Sequence, residues 1–174
     1  MYNFPVGTSR KDPAFGRIVK IIEGFRGYDS IDDLKAADSM VRDRLAAQVR
    51  KTREEAERAQ SLLEKKMRLS NALEFSDMIT NMERALARLS RPPSPRIAAC
   101  AVYTPEEDLI GKLIRLDFQM LSDAENTYNL MQEFQRMDQE DLIRSNILKI
   151  TMAARDIAAS LDEKDRLINC MIQT

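Results

Sequence analysis

Histidine is absent from this chain, and its absence excludes several classes of catalytic site. Nucleophile systems built on Ser-His-Asp or Cys-His cannot form without it, and neither can most zinc sites or the Glu-x-x-His motif of ferritin-like di-iron bundles. Tryptophan is also absent, and the two cysteines, Cys100 and Cys170, lie far apart with no Cys-x-x-Cys motif. We therefore predict no metal, no cofactor and no catalytic residues.

Glycine and proline are scarce, with 5 and 6 residues in a chain of 174. A β-sandwich needs a turn about every 8–12 residues, so this scarcity favours long helices instead. The formal net charge of −1 gives no overall attraction to nucleic acid, and we predict none as a partner. No apolar run reaches the roughly 18 residues of a membrane span. The low cysteine content favours a reducing cytoplasm, with a peripheral position at the inner membrane face as an alternative.

The segment from Ile31 to Leu69 contains no glycine or proline, and it predicts one long helix. Its apolar residues recur at alternating spacings of about three and four, which is the spacing of a coiled-coil seam. In the middle the stripe thins to small residues, Thr52, Ala56 and Ala59. Small residues predict either a closely approaching partner helix or a section that stands in solvent.

Three more long helices follow, each with apolar residues at helical spacing. The second begins near Asn71 and ends before the proline-rich segment 91–96, because proline cannot continue a helix. The third begins at Thr104-Pro105-Glu106-Glu107, where threonine is a good N-cap and proline suits the first helical position. We place a turn near 136–140, with Asp138 as the cap of the fourth helix. A helix that continues across this turn is the open alternative.

These patterns predict an all-α protein: an elongated antiparallel bundle of four long helices with coiled-coil-like packing, preceded by a short amphipathic helix. We expect residues 1–11 to be flexible, residues 12–26 to form the short helix and residues 27–174 to form a single bundle domain. The first long helix is much longer than the second. Part of it is therefore expected to protrude or to pair with another chain.

Three charged residues are expected in contact with the apolar core. Asp38 and Arg42 are one helical turn apart beside apolar positions, and Asp117 lies among apolar residues of the third helix. A polar cluster of these three residues is a candidate binding or specificity site. The structural interpretation is a partly buried ion pair that fixes the register of the helices, and we favour it.

The N-terminal segment combines basic and apolar residues in a pattern typical of an amphipathic helix. Such a helix can lie on anionic lipid, occupy the groove of a partner, or cap its own bundle. We favour the cap, because isolated helices this short are only marginally stable. The candidate membrane or partner contacts are Phe15, Arg17, Ile18, Val19, Lys20, Ile22, Phe25 and Arg26.

Four groups of residues form a spaced pattern: Gly27-Tyr28, Asp38, Val41-Arg42-Asp43 and Leu45-Ala46. The pattern resembles that of a family of small, all-helical, largely uncharacterised prokaryotic proteins, which reads Gly-Tyr, a spacer, and then Asp-x-x-Leu-Arg-Glu-x-Leu-Ala. The likeness is close only over residues 27–46, and a looser likeness continues in Leu113–Leu121 around Asp117. The resemblance implies an all-helical fold and carries no activity.

The sequence therefore predicts a non-enzymatic scaffold or adaptor that acts through protein–protein contacts and forms an oligomer. Its expected partner is a second copy or another helical protein. The alternative is a peripheral membrane-surface protein, held on an anionic membrane by the basic amphipathic segment of residues 10–26. An enzyme with a carboxylate-lined pocket is a third interpretation, which no group of residues in the sequence requires.

Overall fold

The computed structural model describes residues 9–65, 72–91, 108–134, 137 and 139–173. It is 89% helical over these ranges, contains no strand there, and packs five α-helices against one another. The all-α helical bundle predicted from the sequence is confirmed. The helices are α1 (Pro13–Ile21), α2 (Ile31–Lys65), α3 (Ala72–Leu89), α4 (Leu109–Glu133) and α5 (Glu140–Gln173).

Side-chain caps fix where α1 and α2 begin. The Asp12 carboxylate accepts a hydrogen bond from the Ala14 N–H at 2.9 Å, and Pro13 occupies the first helical position, as the sequence indicates. At the start of α2 the Ser30 hydroxyl accepts from the Asp33 N–H at 3.1 Å and donates to the Asp33 carboxylate at 2.6 Å. Ser30, and not its neighbour Asp29, is therefore the cap of the long helix.

The predicted start of the third long helix at Thr104 is wrong. Helix α4 begins at Leu109, and the side chain of Asp108 caps it by accepting a hydrogen bond from the Gly111 N–H at 2.8 Å. Asp108 has a non-helical backbone conformation, so a helix cannot run unbroken from Thr104 into α4. The cap satisfies a backbone donor that the first turn leaves without a partner. Residues 101–107 themselves lie outside the described residues.

The turn predicted near 136–140 is present, and it separates α4 from α5. Helix α4 ends at Glu133, the Met137 N–H donates to the Phe134 carbonyl at 3.2 Å, and α5 begins at Glu140. The alternative of one continuous helix is therefore excluded. The predicted cap Asp138, the predicted start at Asn71 and the predicted end of α2 at Leu69 all lie outside the described residues.

The four long helices form a ring in which α2 packs against α3 and α4, and α5 packs against the same two helices. Side-chain contacts between helices show their relative directions. Arg53 of α2 reaches Glu83 of α3 at 3.9 Å, and Arg42 reaches the carbonyl of Arg91 just beyond α3, so these two helices are antiparallel. Arg144 near the start of α5 pairs with Glu74 near the start of α3 at 3.2 Å, so α3 and α5 are parallel neighbours.

Helix α2 is covered along most of its length. The small residues of its middle, Thr52, Ala56 and Ala59, are buried, which supports the close approach of neighbouring helices and excludes the solvent-exposed alternative. From its start to Ala59, α2 is therefore packed within the bundle, and the expectation that part of it protrudes is not supported over this length. The reason is the ring arrangement, because α2 packs against α4 as well as against the shorter α3.

The N-terminal segment is part of the bundle, and residues 9–11 form a 3-10 turn. Ser9 is fully buried, and its hydroxyl accepts a hydrogen bond from the Tyr28 N–H at 2.8 Å. Gly27 has a φ of +90°, and a Cβ there would lie 2.6 Å from the Ser9 Cβ, so only glycine fits this approach. The expectation of a flexible segment is therefore wrong for residues 9–11, whereas residues 1–8 lie outside the described residues.

Candidate functional site

A fully buried lysine lies between two buried carboxylates inside the bundle. The Nζ of Lys164 in α5 is 2.9 Å from an oxygen of Asp38 in α2 and 2.6 Å from an oxygen of Asp117 in α4. The Lys164 and Asp117 side chains have no exposed surface. Both contacts are close ion pairs. One cation therefore joins three helices.

Arg42 extends this arrangement from α2 to the ends of α3 and α5. Its Nε donates to Asp38 at 2.8 Å, one terminal nitrogen donates to Asp165, and the other donates to the Arg91 carbonyl at 3.1 Å. Burial alone would lower the pKa of Arg42, but Asp38 and Asp165 outweigh it and raise the pKa above its usual value. The guanidinium therefore stays charged in its buried position.

Arg88 of α3 completes the series at the surface of the bundle. It pairs with Asp165 at 3.0 Å and donates from its Nε to Asp162 at 2.8 Å. Acids and bases thus alternate from the interior of α4 to the outer side of α3 and α5. We call this set the ionic chain; its members in order are Asp117, Lys164, Asp38, Arg42, Asp165, Arg88 and Asp162.

Tyr28 closes the inner end of the ionic chain. Its hydroxyl donates a hydrogen bond to Asp117, and its ring meets the Phe25 ring edge-on with centroids 5.7 Å apart. Burial, followed by the negative charge of Asp117, raises the pKa of Tyr28 well above 10.0. The phenol therefore keeps its proton and its role as a donor. The loop that carries Tyr28 joins α1 to α2, so the N-terminal segment is tied to the same cluster.

Desolvation also acts on Asp117. Burial raises the pKa of this carboxyl above its usual value, although the charge of Lys164 and the hydrogen bond from Tyr28 oppose the rise. A buried pair of opposite charges gains little net stability, because desolvation offsets most of the attraction. Removing one partner is nevertheless expensive, because it leaves the other charge buried alone.

The structure brings the sequence-predicted residues Asp38, Arg42 and Asp117 together, with Lys164 as the link between the two carboxylates. Lys164 was not singled out from the sequence, although a signal was present. It follows Leu161 by three positions and precedes Ile168 by four, so it occupies a core position of the α5 stripe. A lysine at such a position indicates a buried acidic partner on another helix.

Four further members of the cluster were also missed by sequence reasoning: Tyr28, Arg88, Asp162 and Asp165. Tyr28 carried a signal, because it belongs to the Gly-Tyr pattern that precedes α2. Asp165 carried the same signal as Lys164, because it follows Leu161 by four positions and precedes Ile168 by three. Arg88 and Asp162 carried none, because each resembles an ordinary residue on the exposed face of a helix. Their pairing depends on α3 and α5 being parallel neighbours, which no local pattern specifies.

The chemistry of the ionic chain is internal. Each interior charge contacts a charge of opposite sign, and Asp38, Arg42, Asp117 and Lys164 are all buried. Among the described residues, no group of three or more His, Cys, Asp or Glu side chains is arranged to hold a metal ion. The arrangement can therefore orient four helices relative to one another.

The N-terminal candidates divide into an inner and an outer set. Ile18, Ile22 and Phe25 are buried, and Phe15 is half-buried against Phe25, with ring centroids 5.8 Å apart. The structure thus corrects the proposed contact surface, because these apolar residues pack inside the protein and α1 packs against α4. They cannot enter a bilayer or a partner groove while this packing persists.

The outer set consists of Arg17, Val19, Lys20 and Arg26, which are exposed. Arg17 also lies over the ring of Phe118 in α4, with its guanidinium carbon 5.1 Å from the ring centroid. In the described parts of the chain, none of the helices offers an apolar stretch that would bridge a bilayer.

Comparison of the chain with protein-family models, curated proteins and solved structures finds no match. The resemblance over residues 27–46 therefore stays a prediction. The geometry adds a physical interpretation of that pattern. Four of its residues, Gly27, Tyr28, Asp38 and Arg42, either belong to the buried cluster or position it.

Proposed function

We propose that the protein is a non-enzymatic helical scaffold or adaptor that acts through protein–protein contacts. One observation carries the proposal: large apolar side chains are exposed on the outer side of α5. Leu148 is 52% exposed and Met152 is 61% exposed. They are four residues apart, so they lie on the same face of the helix and form one apolar patch.

The division between interior and surface supports the same proposal. The charged groups of the interior contact one another, as described for the ionic chain, so a partner meets the helix surfaces. Exposed large apolar residues are normal when they are single, whereas neighbouring ones suggest a contact surface. At the end of the bundle where α3 and α5 begin, Leu73 and Leu142 are also exposed. The α5 patch, defined as Leu148 and Met152, is the surface we expect a partner to cover.

A second copy of the chain is the first partner to test. We expect light scattering coupled to size exclusion to give a mass above the 20.0 kDa of one chain. The double variant Leu148→Lys/Met152→Lys should give a monomer, because burying two ammonium groups in an apolar contact is costly. The matched control is Asn126→Lys/Asn129→Lys on α4, which adds the same charge at two exposed positions and should leave the mass unchanged.

If the partner is a different helical protein, affinity capture tests the proposal with the wild type, the α5-patch variant and the α4 control variant. A partner that the wild type and the control retain, and that the α5-patch variant loses, would support the proposal. The proposal fails if the wild type is a monomer at every concentration and the α5-patch variant captures the same proteins as the wild type.

A further inference from the structure

The exposed face of the N-terminal segment is strongly basic. Residues 9–26 contain five basic and two acidic residues, although the whole chain has a net charge of −1. One of the two acids, Asp12, pairs with Arg115 of α4 at 2.6 Å. We call the exposed bases the basic surface; its members are Arg10, Lys11, Arg17, Lys20 and Arg26.

The surface is polar because most apolar residues of the segment are buried. The apolar residues of the segment pack against the bundle, and Val19 is the one large apolar side chain within residues 9–26 that is exposed, at 40%. At Gly16, on the exposed side of α1, a Cβ would have no atom within 4 Å. Gly16 is therefore an open position of α1, beside the exposed bases Arg17 and Lys20.

We propose that the basic surface docks this protein on an anionic lipid bilayer by electrostatic attraction, with α1 still packed on α4. A bilayer is a broad anionic surface, so exposed bases that are separated along the segment can contribute to binding without a shaped groove. Each base near such a surface strengthens binding about fivefold, and the effect disappears beyond a Debye length. This mode differs from insertion of an amphipathic helix, because it leaves the buried residues Ile18, Ile22 and Phe25 where they are.

Nucleic acid fits the same charges less well. Proteins that bind single strands stack bases on exposed aromatic rings. In this segment Phe25 is buried and Phe15 is half-buried against it. The surface thus offers charge without a stacking platform, which suits a lipid headgroup layer better.

Co-sedimentation with vesicles tests the proposal. We expect the full chain to bind vesicles that contain phosphatidylglycerol at low salt, to release them at about 0.5 M salt, and not to bind vesicles of phosphatidylcholine alone. The variant Lys20→Glu/Arg26→Glu should weaken binding at least about 25-fold, since it removes two bases and adds two acids. The matched control Arg50→Glu/Lys51→Glu changes the net charge equally at two exposed positions of α2 and should weaken binding by less than about fivefold.

A variant at Gly16 keeps the test independent of folding. Gly16→Glu places one acid within the basic surface at a position with open space, and Gly16→Gln places a neutral side chain of the same size there. We expect about fivefold weaker binding of the glutamate variant relative to the glutamine variant. Both variants should keep the wild-type circular dichroism spectrum.

Three results would overturn the proposal. They are equal binding to neutral and anionic vesicles, equal weakening by the α2 control, and binding to an acidic polypeptide such as polyglutamate without binding to anionic vesicles. The α5 patch lies on a different helix, so loss of self-association in its variant leaves this test unaffected.

Discussion

The two ends of the bundle are held together by different chemistry. Where α2 and α4 begin, the ionic chain and Tyr28 occupy the interior. Where α3 and α5 begin, the buried side chains of the described residues are mostly apolar and none is charged, and Phe75 meets Phe134 edge-on with ring centroids 5.6 Å apart. Apolar packing contributes much of the free energy of folding, but it is non-directional and does not specify one alignment of the helices. Buried ion pairs supply little net free energy but are satisfied in one register, so we infer that the ionic end sets how the helices align.

Loss of Lys164 should have the largest effect at the ionic end. Lys164→Met leaves Asp38 and Asp117 buried without their shared cation, and we expect the free energy of unfolding to fall by about 3–5 kcal/mol. Urea unfolding followed by circular dichroism measures this. Lys149→Met, at an exposed position of the same helix, should change stability by less than about 0.5 kcal/mol. Equal effects of the two substitutions would refute a special role for the buried lysine.

Loss of Phe75 should have a comparable effect at the apolar end, with a different signature. Phe75→Ala empties a buried position next to Phe134, and we expect a loss of about 3–5 kcal/mol. The dependence of stability on pH should remain that of the wild type, because no ionisable group is disturbed. Urea unfolding at several pH values measures both quantities, and a changed pH profile would contradict the division between the two ends.

The Tyr28 hydroxyl should contribute less than Lys164. Tyr28→Phe removes the donor to Asp117 and keeps the ring, so we expect a loss of about 1.5–3 kcal/mol, the range for a hydrogen bond to a charged group. Tyr128→Phe, at a half-buried position of α4, is the comparison and should cost less. If the Tyr28 variant unfolds at the same urea concentration as the wild type, the hydroxyl does not anchor the N-terminal segment.

The smallest effect should be a change in how stability depends on pH. Burial raises the pKa of Asp117 above 3.8, with Tyr28, Lys164 and Asp38 as the groups that face it. The folded state therefore holds this proton more tightly than the unfolded state. Protonation of the Asp117 carboxyl therefore stabilises the folded state. This contribution is fully present below pH 3.8 and is lost as the pH rises through the raised pKa of Asp117 in the folded state.

Comparison with Asp117→Asn isolates this contribution, because asparagine does not titrate. We expect the difference in unfolding free energy, wild type minus variant, to decrease as the pH rises across that window. Urea unfolding from about pH 3 to pH 7 measures it. A difference that increases with pH would mean that the pKa of Asp117 is lowered in the folded protein.

The sequence predicts the helices well, because their apolar stripes and breakers are local signals. It also identifies Asp38, Arg42 and Asp117, since each charged residue interrupts or borders an apolar stripe. A local start signal can still mislead, as at Thr104, where Asp108 caps the helix instead. A cap acts on one turn only, so the local signal at Thr104 does not fix where the helix begins in the folded chain.

The parts that the sequence does not predict depend on which helices are neighbours. Arg88 meets Asp162 and Asp165 because α3 and α5 lie side by side and parallel, and the order of helices around the ring is not written in any one stripe. The apolar face of α1 does not by itself specify a neighbour, because it also suits a bilayer or a partner. The marginal stability of short isolated helices favours packing on its own bundle, and the structure places α1 on α4.

A double-mutant cycle between Asp117 and Lys164 tests the central claim most directly. The claim is that each of these two buried charges is compensated by the other, and that their pairing holds the helices in register. We predict that Asp117→Asn/Lys164→Met is more stable to urea than Lys164→Met alone, by at least about 1 kcal/mol, because the second substitution removes a charge that the first left unpaired. If the two single effects simply add, the charges act independently, and the ionic chain does not hold the bundle as described.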